Sequence, residues 1–219
     1  SCALATVALG WPARVLRDLQ APAATGAAAG TVFRWQDFAP GLLGYMLFGV
    51  GYIGYMTFVI ALLREQGVEA GRITGFYALL GIGVVASSRL WARLLDHFKG
   101  GQALALLNGL LGLATLLPAV TGAWPLVLVS GVLFGCVFLS VVASTTALVR
   151  HNLPVAQWAS GISAFTIVFA AGQIVGPTVV GWIADGPGGL ARGLVYSAGA
   201  LWLGSALALR QRALPQASA

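Results

Sequence analysis

The sequence predicts an all-α polytopic membrane protein, and three observations support that class. Of the 219 residues, 58% are hydrophobic and only 8% are charged, whereas a soluble domain carries about 25% charged residues. Six apolar segments reach the length of about 20 residues that a spanning helix needs. None of the six alternates polar and apolar residues as the strands of a membrane barrel do. An ordinary cytosolic enzyme and a disordered chain are therefore excluded.

The six predicted spans are separated by short polar connections that contain Gly or Pro. They cover residues 38–63, 73–94, 102–120, 125–149, 158–184 and 190–209. The chain contains 30 glycines, and small residues let helix backbones approach closely in a membrane.

The first 37 residues differ from the rest of the chain. Residues 1–10 are apolar but too short to span, and the first arginines follow them, whereas a signal peptide carries its charges first. We interpret residues 1–37 as the tail of a preceding helix plus a cytoplasmic linker. The alternative is a short soluble extension. Residues 38–210 form the predicted six-helix transmembrane domain, and residues 211–219 form a cytoplasmic tail.

The basic residues are distributed unequally between the two predicted sides of the membrane. Three of the twelve, Arg64, Arg72 and Arg192, fall on one side. The other nine are Arg14, Arg17, Arg34, Arg89, Arg93, Lys99, Arg150, Arg210 and Arg212. Because basic residues accumulate in cytoplasmic loops, we expect both termini to be cytoplasmic, in a bacterial inner membrane. The net charge of +6 then reports orientation and not nucleic-acid binding.

The first span carries an aromatic stripe. Tyr45, Phe48, Tyr52 and Tyr55 follow the spacing i, i+3, i+7 and i+10, which places them on one helix face. Rings with hydroxyl tips can contact an amphipathic organic molecule and hydrogen-bond its polar part. The stripe is therefore either the wall of a solute cavity or an ordinary packing surface.

Four further polar residues lie inside spans and are candidates for the same cavity. They are Asn108, Ser140, Ser144 and Gln173. Gln173 shares a helix face with Thr166 and Phe169. A buried amide needs a partner, so the alternative for Gln173 is an interhelical hydrogen bond without a ligand.

A charged group marks the end of the second span. Arg89, Arg93 and Asp96 are spaced to share one face of a continuous helix. We interpret them as a latch between neighbouring helices. The alternative is a simple anchor at the membrane surface.

The fifth span carries a packing motif. Gly172 and Gly176 form a small-xxx-small pair, Pro177 should bend the helix, and Gly181 follows. We expect the face that bears Gly172, Gly176 and Gln173 to lie exposed, ready for a partner.

Several kinds of chemistry lack their sequence signals. No Asp, Glu, Lys or His lies at the middle of a predicted span, where proton relays usually place one. The chain also lacks a phosphate-binding loop, a nucleophile elbow and a cluster with metal-ligand spacing. We therefore expect no enzyme activity, no cofactor and no metal.

Two motifs resemble those of the major facilitator superfamily. Residues 92–100 resemble the family's loop motif through Asp96 and Gly100, although Ala92 and His97 replace its leading Gly and its Arg. The segment from Gly172 to Gly181 resembles the Gly-Pro motif of a fifth helix, and residues 52–59 are similar to a bacterial subfamily of uncharacterised transporters.

The resemblance implies the C-terminal half of a twelve-helix transporter that moves a small organic solute by alternating access. Its partners would be the lipid bilayer, the solute and an N-terminal six-helix half of the same protein. The first and fourth helices would line the cavity, whereas Arg89, Asp96 and Gln173 would lie at the gating interface between halves. The alternative is a non-transporting six-helix scaffold or a self-dimerising membrane protein.

Overall fold

The computed structural model describes residues 33–214, which form an all-α bundle. Its seven helices are α1 Ala39–Glu65, α2 Ala70–Leu90, α3 Ala92–His97, α4 Gln102–Val120, α5 Trp124–Asn152, α6 Trp158–Ala184 and α7 Gly189–Leu209. Two short 3-10 turns, Trp35–Phe38 and Val155–Gln157, precede α1 and α6. The described part of the chain contains no strand, and the predicted all-α class is confirmed. The proposed tail and linker fall mostly on residues 1–32, outside the described residues.

Five helices are long and apolar enough to cross a membrane: α1, α2, α4, α5 and α6. The sixth predicted span, α7, is a helix of 21 residues. Its mean hydropathy is lower than that of the five, because Arg192, Tyr196 and Trp202 interrupt the apolar run. The chain is thus a polytopic membrane protein.

The second predicted span differs from the structure, because it does not continue as one helix. α2 ends at Leu90, and α3 begins again at Ala92. The Ser87 carbonyl accepts the Trp91 N–H at a long 3.3 Å and also the Ser140 hydroxyl of α5 at 3.2 Å. The Ser87 carbonyl is therefore shared between a backbone donor and a side-chain donor at the break. The Trp91 indole N–H then donates to the Cys136 carbonyl of α5, 2.8 Å away.

The helices repeat their packing pattern. α1 packs on α6 and α7, α5 packs on α2 and α4, and α4 packs on α7. The first three spans are α1, α2 and α4, and the last three are α5, α6 and α7. When each helix of one set is exchanged with its counterpart in the other, the same pairs of packed helices result. An odd number of spans also inverts the second set in the membrane. This arrangement is typical of the three-helix inverted repeats in transporter halves.

Glycine allows the closest approach in both repeats. A Cβ atom added to Gly172 of α6 would overlap the Met46 carbonyl oxygen of α1, and one on Gly176 would lie 2.8 Å from the Val50 carbonyl oxygen. In the other repeat, a Cβ on Gly135 of α5 would overlap the Leu80 carbonyl oxygen of α2. The expectation that Gly172 and Gly176 lie on an exposed face is wrong, because they bring the backbone of α6 against α1. Both are buried.

Hydrogen bonds join the start of α1, the turn after α3 and the C-terminal segment at one end of the bundle. Gln211 is only 3% exposed. Its side-chain oxygen accepts the Gly41 N–H at 3.1 Å, its amide donates to the Asp37 carbonyl at 3.0 Å, and its own carbonyl accepts the Gly101 N–H at 2.8 Å. Gln211 thereby caps α1, which has no side-chain cap of its own. The first residues of the predicted tail thus pack on the bundle.

The end of α5 belongs to this same end of the bundle. The Asn152 amide donates to the Lys99 carbonyl at 2.7 Å, and its oxygen accepts the Leu214 N–H at 2.6 Å. We call this the basic end. Its basic residues among those described are Arg34, Arg89, Arg93, Lys99, Arg150, Arg210 and Arg212. The opposite end joins the α1–α2 turn to α4 through a bond from the Gln66 amide to the Pro118 carbonyl.

Candidate functional site

Aromatic side chains from three helices form one continuous layer inside the bundle. Tyr52 of α1 stacks on Phe48 at 5.0 Å, on Phe138 of α5 at 5.2 Å and on Phe169 of α6 at 5.6 Å, measured between ring centroids. We call this layer the aromatic wall. Its members are Tyr45, Phe48, Tyr52, Tyr55, Phe134, Phe138, Phe165 and Phe169.

The wall forms because each contributing helix repeats its rings at helical spacing. α1 supplies the predicted stripe, α5 supplies Phe134 and Phe138, and α6 supplies Phe165 and Phe169. The last two pairs are both i, i+4, so each pair lies on one face. Offset stacking of this kind contributes about 0.5–1.5 kcal/mol per pair beyond area burial. The wall therefore fixes α5 and α6 against α1.

Tyr52 and Gln173 form the polar part of the wall. The Gln173 side-chain amide donates to the Tyr52 hydroxyl oxygen at 2.5 Å. Because that oxygen acts as the acceptor, the Tyr52 hydroxyl proton stays available to another group. Among the described residues, the Gln173 amide oxygen accepts no hydrogen bond from the protein. Gln173 is half-buried, so this pair offers one donor and one acceptor at the edge of the aromatic layer.

Tyr55, another tyrosine of the stripe, has its hydroxyl engaged by α5. The Ser130 hydroxyl donates to the Ala114 carbonyl at 2.7 Å, so the Tyr55 hydroxyl, 2.7 Å away, donates to Ser130. This chain links α1, α5 and α4, and Tyr55 is fully buried. Tyr45 is buried, and its ring stacks on Phe48 at 5.4 Å between ring centroids. Tyr52 differs from Tyr55 because its polar partner, Gln173, is partly exposed.

The remaining cavity candidates form hydrogen bonds with residues outside the wall. The Asn108 amide donates to the Gly44 carbonyl at 3.2 Å, between α4 and α1. Ser140 bonds to α2, and the Ser144 hydroxyl donates to the Val141 carbonyl of its own helix at 2.7 Å. All three are buried. Asn108 and Ser140 form hydrogen bonds between helices, and Ser144 forms one with the backbone of its own helix.

The charged group at the end of the second span is divided by the break at Trp91. Arg89 lies on α2, whereas Arg93 and Asp96 lie on α3, and all three are exposed. Within residues 33–214, the only ion pair joins Arg34 and Asp37 at 3.9 Å. The continuous helix on which the three were expected to share a face is therefore interrupted, and no ion pair joins Asp96 to Arg89 or Arg93 in the described part of the chain. Gly100 is buried, and a Cβ there would lie 2.8 Å from the Gln211 carbonyl oxygen.

The sequence reasoning missed Phe134, Phe138 and Phe165. Phe134 and Phe138 lie in a span that is apolar on every side, so their shared face could not be distinguished from a lipid-facing one. Their i, i+4 spacing was the available signal. That spacing identifies a packing face only once the α1 stripe and the Phe165–Phe169 pair of α6 are known to lie opposite it.

Six of the eight rings are buried, so the accessible part of the wall is its edge, where Phe138, Phe169 and Gln173 are half-buried. None of its eight members or Gln173 carries a carboxylate, an amine, a guanidinium or an imidazole. A formal charge on a ligand would therefore find no counter-charge among these residues, and burying an unpaired charge is costly. The wall and Gln173 thus present aromatic rings and uncharged polar groups only.

One family model matches nearly the whole chain. It is described as "Uncharacterised MFS-type transporter YbfB", where MFS denotes the major facilitator superfamily, and it covers residues 2–209. No curated protein and no solved structure matches the chain.

Proposed function

Because the chain belongs to the uncharacterised YbfB-type transporters of the major facilitator superfamily, we propose that it transports a small, uncharged amphipathic organic solute by alternating access. The observation that carries this proposal is the Tyr52–Gln173 pair at the edge of the aromatic wall. A solute site needs mostly apolar lining with a few placed polar groups, and the pair supplies those groups.

The proposed second component is an N-terminal six-helix half. α2 and α6 are the least buried of the five apolar helices, with 28% and 17% of their spanning windows buried. Large apolar side chains stand exposed on both, including Val85 at 80% and Ile174 at 75%. These faces need lipid or protein against them. A second half packed there would close a cavity over the aromatic wall, and rocking of the two halves would open it to either side.

The proposed orientation places the basic end in the cytoplasm of a bacterial inner membrane. The support is the nine-to-three division of Lys and Arg in the sequence. The hydrogen bonds of Gln211 and Asn152 group the corresponding connections at one end of the bundle. Each of these connections would then face the same compartment.

Three probes that share a benzene ring but are neutral, negative or positive test the proposed solute class. Benzamide, benzoate and benzylamine are added separately to the purified protein, and the midpoint of thermal unfolding is measured. A ligand present at 100 times its Kd stabilises the folded state by about 2.7 kcal/mol. We expect benzamide to raise the midpoint more than the two charged probes do. Radiolabelled benzamide should also enter proteoliposomes by a saturable route.

Two variants test whether benzamide binds at the Tyr52–Gln173 pair. Gln173→Leu should remove the benzamide-induced shift, since it deletes the half-buried amide oxygen that would accept a hydrogen bond from the ligand. Thr178→Val is the matched control, because Thr178 is exposed on the same helix and bonds only its own backbone. Equal shifts in the two variants would contradict the assignment of Gln173. A larger shift with benzoate than with benzamide would contradict the uncharged class.

A further inference from the structure

We propose that a cleft at the basic end binds the phosphodiester group of an anionic membrane glycerophospholipid. The cleft has a volume of about 380 Å³ and is lined by Asp96, Lys99, Ala147, Arg150, His151 and Trp158. That volume lies within the range of about 300–1,000 Å³ typical of small-ligand sites. The cleft is separate from the aromatic wall, and the proposal does not depend on the transported solute.

Arg150 is the principal phosphate ligand in this proposal. It lies in the last turn of α5, and its guanidinium carbon stands 5.2 Å from the centroid of the Trp158 ring. The Trp158 indole N–H donates to the Leu153 carbonyl at 3.0 Å, which fixes the ring. Stacking holds a planar guanidinium by its face and leaves its N–H groups directed outward. Such a group can bind two oxygens of one phosphate.

Lys99 is brought to the same cleft by the backbone. Its carbonyl accepts the hydrogen bond from Asn152, which ties the turn after α3 to the end of α5. Within the described residues, neither Lys99 nor Arg150 forms an ion pair. Both side chains are exposed, so their charges remain available to a ligand at the surface.

The charge of the cleft favours a monoanion. Lys99 and Arg150 contribute two positive charges and Asp96 contributes one negative charge, which leaves +1 when His151 is neutral. A phosphodiester carries one negative charge and therefore balances the cleft. Asp96 opposes a second negative charge, so a free phosphate dianion is matched less well.

The position of the cleft favours a lipid over a soluble anion. It lies where α5 ends and α6 begins, beside two membrane-spanning helices. Trp158 is a residue type enriched at the membrane–water interface, and neighbouring Val155 is 72% exposed. Basic pockets between spanning helices are known to bind anionic headgroups. An acyl chain could leave the cleft along this apolar edge while its phosphate stays on Arg150.

The test measures lipid binding to the purified protein in detergent by native mass spectrometry and by the thermal midpoint. The lipid probes are phosphatidylglycerol and phosphatidylcholine, and the soluble probes are glycerol 3-phosphate and inorganic phosphate. We expect phosphatidylglycerol to bind and stabilise the protein, and the other three to do so weakly. Equal effects of phosphatidylcholine would overturn the charge argument. Stabilisation by the soluble anions without an effect of phosphatidylglycerol would overturn the assignment to lipid.

Variants locate the site. Arg150→Gln should weaken phosphatidylglycerol binding about ten- to hundredfold, as expected for loss of hydrogen bonds to a charged group. Lys99→Gln changes an exposed turn residue and serves as the second variant if Arg150→Gln folds poorly. Arg93→Gln removes an exposed charge at the same end but outside the cleft, and it should bind as the parent protein does. The same affinity in the Arg150, Lys99 and Arg93 variants would exclude the cleft as the site.

Discussion

Replacing Gly172 with alanine should separate α6 from α1. The added Cβ would overlap the Met46 carbonyl oxygen and would lie 3.2 Å from both the Gly49 Cα and the Val50 N. All three are backbone atoms, which cannot rotate away as a side chain does. α6 must therefore move outward along the whole contact, and the aromatic contacts of Phe169 with α1 would loosen with it.

The size of the effect follows from two opposing terms. Alanine is more favourable than glycine in a helix by about 1 kcal/mol, whereas overpacking a tight contact costs about 1–3 kcal/mol. With rigid backbone as the obstacle, the upper end of the cost applies, and the net loss is about 2 kcal/mol. For a domain of this size, that lowers the thermal midpoint by roughly 4–8 °C.

Gly181→Ala is the matched control on the same helix. A Cβ at Gly181 would meet only the Phe58 Cζ at 3.8 Å, an ordinary contact. Circular dichroism of both variants in detergent, scanned with temperature, should show Gly172→Ala melting early and Gly181→Ala melting at or above the parent midpoint. If the two variants melt together, the close approach of α6 to α1 is refuted.

Three further predictions concern the ends and the core of the bundle. Gln211→Ala should lower the free energy of unfolding by about 1–3 kcal/mol, because it uncaps α1. Amide hydrogen exchange should become faster at the start of that helix, and unchanged exchange would argue against the cap. Ser130→Ala should lower the free energy of unfolding, since it leaves the buried Tyr55 hydroxyl without an acceptor, and adding Tyr55→Phe should recover part of that loss. A double variant less stable than Ser130→Ala would contradict the hydrogen-bond chain. Cysteines placed at Lys99 and Glu69 should differ in intact cells, where an impermeant reagent should label position 69 and spare position 99; the reverse pattern would invert the proposed orientation.

Helix positions were largely predictable from the sequence because the bilayer imposes one length on every span. The third and fifth predicted spans, 102–120 and 158–184, coincide with α4 and α6. Each is bounded by residues that end helices or favour turns. The break at Trp91 was not predictable, since the α5 hydroxyl that shares the Ser87 carbonyl reaches it only in the folded bundle.

The candidate site was predictable in part. The period of the α1 stripe identified one helix face, and the polar character of Gln173 required a partner. Which helix supplied that partner, Tyr52, depended on tertiary packing. The same limit explains the error on Gly172 and Gly176. Small residues indicate that a close contact exists, but the sequence does not state which helix makes it, and here α1 does so within the bundle.

The claim that this helical bundle works as one half of an alternating-access transporter is tested most directly by proteoliposome uptake. Two preparations are compared under an imposed ion gradient: residues 1–219 alone, and the same chain joined to the proposed N-terminal half. The labelled solute is benzamide or the better probe from the binding panel. We predict saturable uptake by the joined protein, lost when the gradient is dissipated, and no uptake above empty liposomes by residues 1–219. Saturable uptake by residues 1–219 alone would contradict the account and favour a self-sufficient six-helix protein.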